Sequence, residues 1–273
     1  MSIPIVSAII VSHNSAHELP QCLGALENQS GCSLNLIVVD SGSTETGYLD
    51  QLADRYAFRL IRTSNVGFSQ ANNIGYQAVS ADTEMVVFLN PDTVLPDKYL
   101  EKALTLLKNT PEAGVVSGVL VGYDMNSSKP TEYIDSTGVF RKWYGRWYDR
   151  DHGVRYAGIN RPRQFLPAVC GALLACRPEA LAAMSGYIFD PDFFLYKEDI
   201  EFSIRLRKHG WKLLFEPQLV AYHGRGWKRK RRDVQVFLRE VASKSEMLLY
   251  RKHPSPYMLW AVMKYILVRY VKI

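Results

Sequence analysis

The chain has 273 residues, 47% of them apolar, and a net charge of +6. That apolar fraction supports a substantial core and excludes an intrinsically disordered chain, and the length fits one generous domain or a domain with an appendage. Four cysteines (Cys22, Cys32, Cys170, Cys176) form no C-x-x-C pair and match no zinc spacing, which predicts reduced thiols in a cytosolic protein. No run of about 20 uncharged apolar residues occurs, so no ordinary spanning helix is expected. The start, Ile3-Pro4-Ile5-Val6, lacks a basic region and cleavage site, so no signal peptide is expected.

Residues 6–11 are an apolar run, but for Ser7, closed by Ser12-His13-Asn14, which predicts a buried strand ending in a polar loop. A helix is expected over 18–28, with Leu19, Leu23 and Leu26 on one face. Residues 34–39 predict a second strand, ending at Asp40 and turning at Ser41-Gly42-Ser43-Thr44. Helical spacing over 48–56, a strand over 59–62, a helix over 67–79, a strand over 85–89 and a helix over 98–108 follow. This alternation predicts an α/β fold: a mostly parallel central sheet flanked by helices on both faces. Such sheets bind ligands at the carboxyl ends of their strands, and Asn14, Asp40 and Asp92 stand at or just beyond three such ends.

The second half reads differently. Residues 114–121 predict a strand, and 124–163 are polar, aromatic and basic, with Trp143, Tyr144, Trp147, Tyr148 and Tyr156. An apolar stretch over 165–176 contains Gly171 and Ala172; short helices are expected over 181–184 and 199–209, and short strands over 212–215 and 219–222 before His223. From about 233 onward the chain reads as helical, interrupted at Pro254 and Pro256. A boundary is therefore placed between a body of residues 1–227 and a basic, amphipathic helical extension of 228–273.

Each polar feature has two readings. Asp40 can accept a hydrogen bond from a base imide or a ribose hydroxyl, or it can simply form the Asp-Ser-Gly-Ser turn. Asp92, aimed by Pro91, can ligate Mg²⁺ through oxygen, or again form a turn. Glu198-Asp199 opens a helix, where a carboxylate is held ionised and can act as general base; first turns are also enriched in acids for stability alone. His223 can complete a metal shell as neutral imidazole, or be an ordinary core histidine. Asn65-Val66-Gly67-Phe68 and Asn72-Asn73-Ile74-Gly75 offer amides and glycines where backbone can approach a ligand, but fit neither a Walker loop nor G-x-G-x-x-G. Lys228-Arg229-Lys230-Arg231-Arg232 can attract anionic lipid or a lipid-linked diphosphate, or be a solvated face. In 257–273 the three cations Lys264, Arg269 and Lys272 fall in one sector of a helix, compatible with a helix at a membrane interface or one packed on the domain.

Taken in order, several segments resemble glycosyltransferase family 2, with its GT-A fold, and within it the bacterial rhamnosyltransferase-like branch. The stretches that carry the resemblance, over about residues 5–227, are Ile9-Ile10-Val11-Ser12-His13-Asn14, Val38-Val39-Asp40-Ser41-Gly42-Ser43, Asn65-Val66-Gly67-Phe68-Ser69 with Asn72-Asn73-Ile74-Gly75, Phe88-Leu89-Asn90-Pro91-Asp92, Cys170-Gly171-Ala172 and Phe193-Phe194-Leu195-Tyr196-Lys197-Glu198-Asp199. The resemblance implies a nucleotide-sugar site at Ser12, Asn14, Asp40, Asn65, Gly67, Asn72, Asn90, Gly171 and Ala172. It implies Mg²⁺ or Mn²⁺ on Asp92 and His223, with Asp199 as catalytic base and Glu198 placing the acceptor. Asn90 stands where many members carry Asp; the Asn-Pro-Asp form is familiar in the rhamnosyl-type branch. His223-Gly224-Arg225-Gly226-Trp227 lacks the hydroxyl residue often found nearby. The implied activity is inverting transfer of a sugar, L-rhamnose from dTDP-rhamnose or a hexose from a UDP-sugar, to an oligosaccharide or lipid-linked acceptor. Its place would be the inner face of the cell membrane, in peripheral contact with anionic lipid. The aromatic segment of 141–163 is expected to stack on acceptor sugars, to form a flap, or to make a homodimer contact. A silent scaffold remains an alternative; a nucleic-acid-binding module is disfavoured, because it leaves the strand-end acids without a purpose.

Overall fold

A computed structural model describes residues 3–224 and 235–272 of the chain. The first half alternates as its apolar runs dictate: β1 (Ile5–Ser12), α1 (Leu19–Glu27), β2 (Ser33–Ser41), α2 (Gly47–Arg55), β3 (Arg59–Thr63), α3 (Gly67–Tyr76), β4 (Met85–Leu89), β5 (Thr93–Val94) and α4 (Tyr99–Asn109). The second half adds β6 (Ala113–Asp124), β7 (Lys129–Ser136), β8 (Val139–Arg141), β9 (Trp147–Asp149), β10 (Gln164–Phe165), β11 (Leu173–Cys176), α5 (Pro178–Ala182), α6 (Glu198–Lys208), β12 (Lys212–His223), α7 (Val236–Lys252) and α8 (Met258–Ile266). A final π-helical turn covers Leu267–Val271.

The main sheet runs β3-β2-β1-β4-β11-β6-β12-β10, with β7 added to β6 and β5 to β12. β1 lies parallel to both β2 and β4, and β6 parallel to β12, whereas β11 is antiparallel to β4 and β6. β1 and β4 are buried on both faces, which explains their largely apolar sequences; the one polar residue inside β1, Ser7, bonds the Thr83 hydroxyl at 2.7 Å. Alternate residues feed two core layers: Val6, Ala8 and Ile10 meet α1, α2 and α4 on one side, while Ile9 and Val11 face α3, α5 and α6 residues on the other. Leu249, Tyr250 and Ala261 belong to the first layer, so α7 and α8 share the core of the body rather than trailing from it.

Two sequence expectations, the separate strands over 212–215 and 219–222 and the helix to 79, need correction. The two short strands over 212–215 and 219–222 are one strand, β12, that bulges between Phe215 and Val220. The bulge pushes the Leu219 carbonyl onto Gly118, where a Cβ would lie 1.7 Å from that oxygen. The polar segment 124–163 contains β7 and the β8–β9 hairpin. The helix expected to 79 ends at Tyr76. Lys264 turns inward to buried Glu246 and Arg269 pairs with Glu240, both of α7, and the outward face of α8 is the apolar one. Leu259, at 79% exposure, heads a stripe of Val262, Met263, Ile266, Leu267 and Tyr270, spaced as one helical face. The basic run 228–232, with Arg225, Gly226 and Trp227, lies outside the described residues. Among the described residues no helix is long and apolar enough to cross a membrane.

Candidate active site

Asp92 and His223 are 131 positions apart in sequence, yet the two-residue strand β5 brings them together. It pairs antiparallel with the end of β12, Thr93 opposite His223, and the Gly224 amide donates to the Asp92 carbonyl at 2.7 Å. Asp92 Oδ1 then lies 3.2 Å from His223 Nε2. The other ring nitrogen, Nδ1, is 2.8 Å from Oδ2 of Asp135, a fully buried acid at the end of β7. The Asn90 amide stands 3.4 Å from His223 Nε2. Burial alone would lower the His223 pKa, but Asp92 and Asp135 outweigh it and push it up to about 10. Burial alone would likewise raise Asp92; the facing imidazolium outweighs it and holds Asp92 below the usual carboxylate range.

This donor set fits a hard divalent cation. Two acids flank one imidazolium, which leaves one negative charge uncompensated in a secluded site. Asp135 fixes His223 with Nδ1 protonated, so Nε2 presents its lone pair toward Asp92 once its proton gives way to a metal. Among the described residues no three His, Cys, Asp or Glu side chains converge as a closed cage. Two protein ligands with the remaining positions left to phosphate oxygens and water is the pattern Mg²⁺ adopts.

The second acidic pair opens α6. Tyr196 and Lys197 both have left-handed backbone, with φ of 68° and 71°, a conformation that costs free energy in non-glycine residues and is concentrated at functional sites. The turn presents Glu198 and Asp199 at the helix N-terminus. Asp199 Oδ2 accepts from the Gly171 amide at 3.0 Å and Oδ1 from the Ile200 amide at 2.8 Å. Gly171 allows this close approach, since a Cβ would stand 3.0 Å from Asp199 Cβ. Glu198 is 7% exposed, and its buried Oε2 has no hydrogen-bond partner among the described residues. Burial and then the charge of Asp199 push Glu198 up to about 8. Asp199 is also raised, by burial and by Asp149, against the pull of Lys197 and the Gly171 amide. With two backbone donors on Asp199 and an orphaned oxygen on Glu198, the pair's shared proton belongs on Glu198.

These groups line one cavity of about 330 Å³, with Asn90, Asp92 and His223 contributing alongside Gly171, Ala172, Glu198 and Asp199. Phe68 and the hairpin residues Trp147, Tyr148 and Asp149 complete it. A larger surface cleft of about 440 Å³, lined by Lys98, Lys102, Arg163 and Glu216, holds none of these groups.

None of the remaining sequence-predicted residues lines this cavity: Ser12, Asn14 and Asp40 stand at the ends of β1 and β2, where Ser12 is in register with Asp40, and Asn65, Gly67 and Asn72 stand before and within α3. Ser12 Oγ contacts the Tyr48 hydroxyl at 2.9 Å. Asp40 accepts from the hydroxyl and amide of Ser43, so at least one of its oxygens forms the turn. Asn14, at φ 54°, clips the two loops together: its amide donates to Ser43 Oγ and its Oδ1 accepts from the Thr44 amide at 2.7 Å. Asn65 Oδ1 accepts from the Gly67 amide at 3.3 Å. Gly67, at φ 80°, lies so close to Phe194 that a Cβ would be 2.5 Å from its ring. Asn72 does not reach out: it is buried and its amide donates to the Phe68 carbonyl of its own helix. Asn73 takes the outward role, its Oδ1 accepting from the amides of Ile188 and Phe189. Sequence reasoning missed Asn73 as a holder of this loop, and missed Asp135 and Asp149. Asn73 sat in plain view beside Asn72, whereas Asp135 has no local signal, since its role exists only through the β6–β7 pairing.

An open sheet with acids at its strand ends, a histidine–carboxylate pair and a helix-borne acid around one cavity defines an α/β protein with a candidate ligand site at the carboxyl ends of its strands. The model of the family described as glycosyl transferase family 2 matches residues 7–172, and the chain belongs to that family. It is 25% identical over 95% of its length to a validoxylamine A glucosyltransferase of Streptomyces hygroscopicus subsp. jinggangensis, of which it spans 64%. It is 24% identical over 80% of its length to an N-acetylglucosaminyl-diphospho-decaprenol L-rhamnosyltransferase of Mycobacterium tuberculosis, spanning 76% of that protein. Among solved structures, a mannosyltransferase from Pyrobaculum calidifontis in complex with GDP-Man and Mn²⁺ superposes with a TM-score of 0.63 at 19% identity, covering 99% of this chain and 71% of that one. GalNAc-T7 with UDP, GalNAc and Mn²⁺ gives 0.67 at 15% identity, covering 98% and 58%. The fold is GT-A. The family match ends before Glu198, Asp199 and His223, so their place in the site rests on the geometry above.

Proposed function

We propose that the protein is an inverting sugar transferase that moves L-rhamnose from dTDP-rhamnose to a hydroxyl of a lipid-linked glycan at the inner face of the cell membrane. The observation that carries the reading is the convergence of Asp92 with His223 and of Glu198 with Asp199 on one cavity. The rhamnosyl donor and lipid-linked acceptor draw on the mycobacterial relative. The glucosyltransferase relative, aligned over more of the chain, favours a second reading in which the donor is a UDP-hexose or UDP-N-acetylhexosamine. The apolar stripe of α8 would rest on the membrane that holds the acceptor.

In this mechanism Asp92 and His223 would hold Mg²⁺ or Mn²⁺, which would supply positive charge to offset that of the leaving diphosphate. Ser12, Asn14, Asp40 and Asn65 hold the nucleoside beside the cavity, and Gly171 and Ala172 leave room beneath the sugar. Asp199 takes the proton of the acceptor hydroxyl as its oxygen bonds to the anomeric carbon and the carbon–phosphate oxygen bond breaks. The Gly171 and Ile200 amides keep Asp199 ionised for that step, and Glu198, holding its proton, can donate a hydrogen bond to the acceptor. The test is a screen of nucleotide release across dTDP-rhamnose and UDP-sugars, with and without chelator, on the protein and on Asp199→Asn. We expect one donor class to be turned over, chelation to abolish it, and Asp199→Asn to lower kcat by about 10²–10⁴-fold with nucleotide affinity kept. Turnover undiminished in Asp199→Asn would remove the base from the mechanism.

A further inference from the structure

The two walls of the cavity rest on different supports. Asn90, Asp92 and His223 are carried by the sheet itself. The opposite wall, which carries the base, leans on the C-terminal helices. Ser245 of α7 donates to the Leu195 carbonyl at 2.8 Å. Lys252 bonds Asp190 and Asp192, both at 2.6 Å, and His253 reaches Glu201 at 3.3 Å. The β8–β9 hairpin is held in the same way. Its tip residue Gly145, at φ 102°, accepts a hydrogen bond from Tyr250 and lies so close to Tyr257 that a Cβ would be 2.5 Å away. Tyr144 packs edge-on against Trp260 of α8 with ring centroids 4.8 Å apart. Arg141 bridges Tyr257 and Trp147, 4.4 and 5.5 Å from the ring centres. The aromatic segment thus spends its tip on its own chain, while its arm places Trp147, Tyr148 and Asp149 among the residues that line the cavity.

We infer that Tyr257 and Trp260 are positioning residues for the acceptor: by gripping the hairpin tip they set the gap between Trp147–Asp149 and Asp199 in which an acceptor pyranose ring sits. This rests on the reading of the cavity as a sugar-transfer site. Neither residue lines the cavity, so each acts through the hairpin. The acceptor class follows from the wall: Tyr148, half-buried and held up by core-packed Trp147, offers an aromatic ring to a sugar, with carboxylates to take its hydroxyls. A shift of about 1 Å in such a wall is enough to cost a large factor in rate, while the nucleotide side, built on β1 and β2, stays untouched.

The experiment compares Trp260→Ala with Trp260→Phe, which keeps an aromatic ring against Tyr144. Hydrogen exchange is followed over 139–149, UDP and dTDP affinity is measured with Mn²⁺, and acceptor KM is measured with an octyl N-acetylglucosaminide beside acceptor-free donor hydrolysis. In Trp260→Ala we expect faster exchange confined to the hairpin and acceptor KM raised about tenfold, with nucleotide affinity and donor hydrolysis within about twofold of the parent and Trp260→Phe close to the parent. Unchanged hairpin exchange, or nucleotide affinity falling in step with acceptor KM, would overturn the inference. A parent protein that turns over no donor would instead strike at the sugar-transfer reading, and exchange would still decide the coupling.

Discussion

Glu198 and Asp199 are neighbours in sequence and meet opposite fates. Asp199 gains two backbone donors, and Glu198 is left with a buried, unpartnered oxygen. A carboxyl in the unfolded chain releases its proton near pH 4.3, whereas Glu198 in the fold holds it to about 8. Between these values the native state binds the extra proton, so stability falls as pH rises through the window. Glu198→Gln keeps the shape without the titration. Its melting temperature should equal the parent's at pH 4 and exceed it by several degrees at pH 8; parallel curves for the two proteins would contradict the assignment. Both acids were legible in the sequence because an acidic pair before an amphipathic run marks a helix start. Asp135 was not, because nothing around Ile134-Asp135-Ser136 announces a histidine 88 residues on.

Elements differ in how openly the sequence declares them. β1, β2 and β4 are read directly, since a strand buried on both faces must be largely apolar. β5, β8 and β9 are two or three residues long and exist only because a neighbour pairs with them, so no periodicity reveals them. The same dependence ties α3 to the acidic turn. Its first residue, Gly67, touches Phe194, and the Phe68 amide donates to the Phe194 carbonyl at 2.8 Å. Gly67→Ala would need both a left-handed alanine and a displaced Phe194, at a cost of about 1–3 kcal/mol. Thermal melting should register that loss, and kcat should fall further than the lost stability explains, because Phe194 leads into Tyr196 and Lys197. Full activity in a destabilised Gly67→Ala would show that the acidic turn holds its own shape.

At the scale of the molecule, α7 and α8 are built into the body, and the apolar stripe of α8 faces away from it. The sequence showed an amphipathic tail but left open which side faced out, because the acids that pair with its cations, buried Glu246 with Lys264 and Glu240 with Arg269, lie on another helix. If the stripe rests on lipid, Leu259→Asp and Ile266→Asp should weaken co-sedimentation with anionic vesicles without lowering the melting temperature. Equal sedimentation of variant and parent would leave the stripe without that role.

The short clip between β5 and β12 also orders events in time. Asp92 leaves the ribosome more than a hundred residues ahead of His223, and Asp135 follows Asp92 by only 43. A half-made polypeptide therefore owns two of the three groups and lacks the imidazole that both of them grip. On the proposed reading, a divalent ion would meet a complete site only after β12 has paired with β5, so the growing chain would be chemically silent.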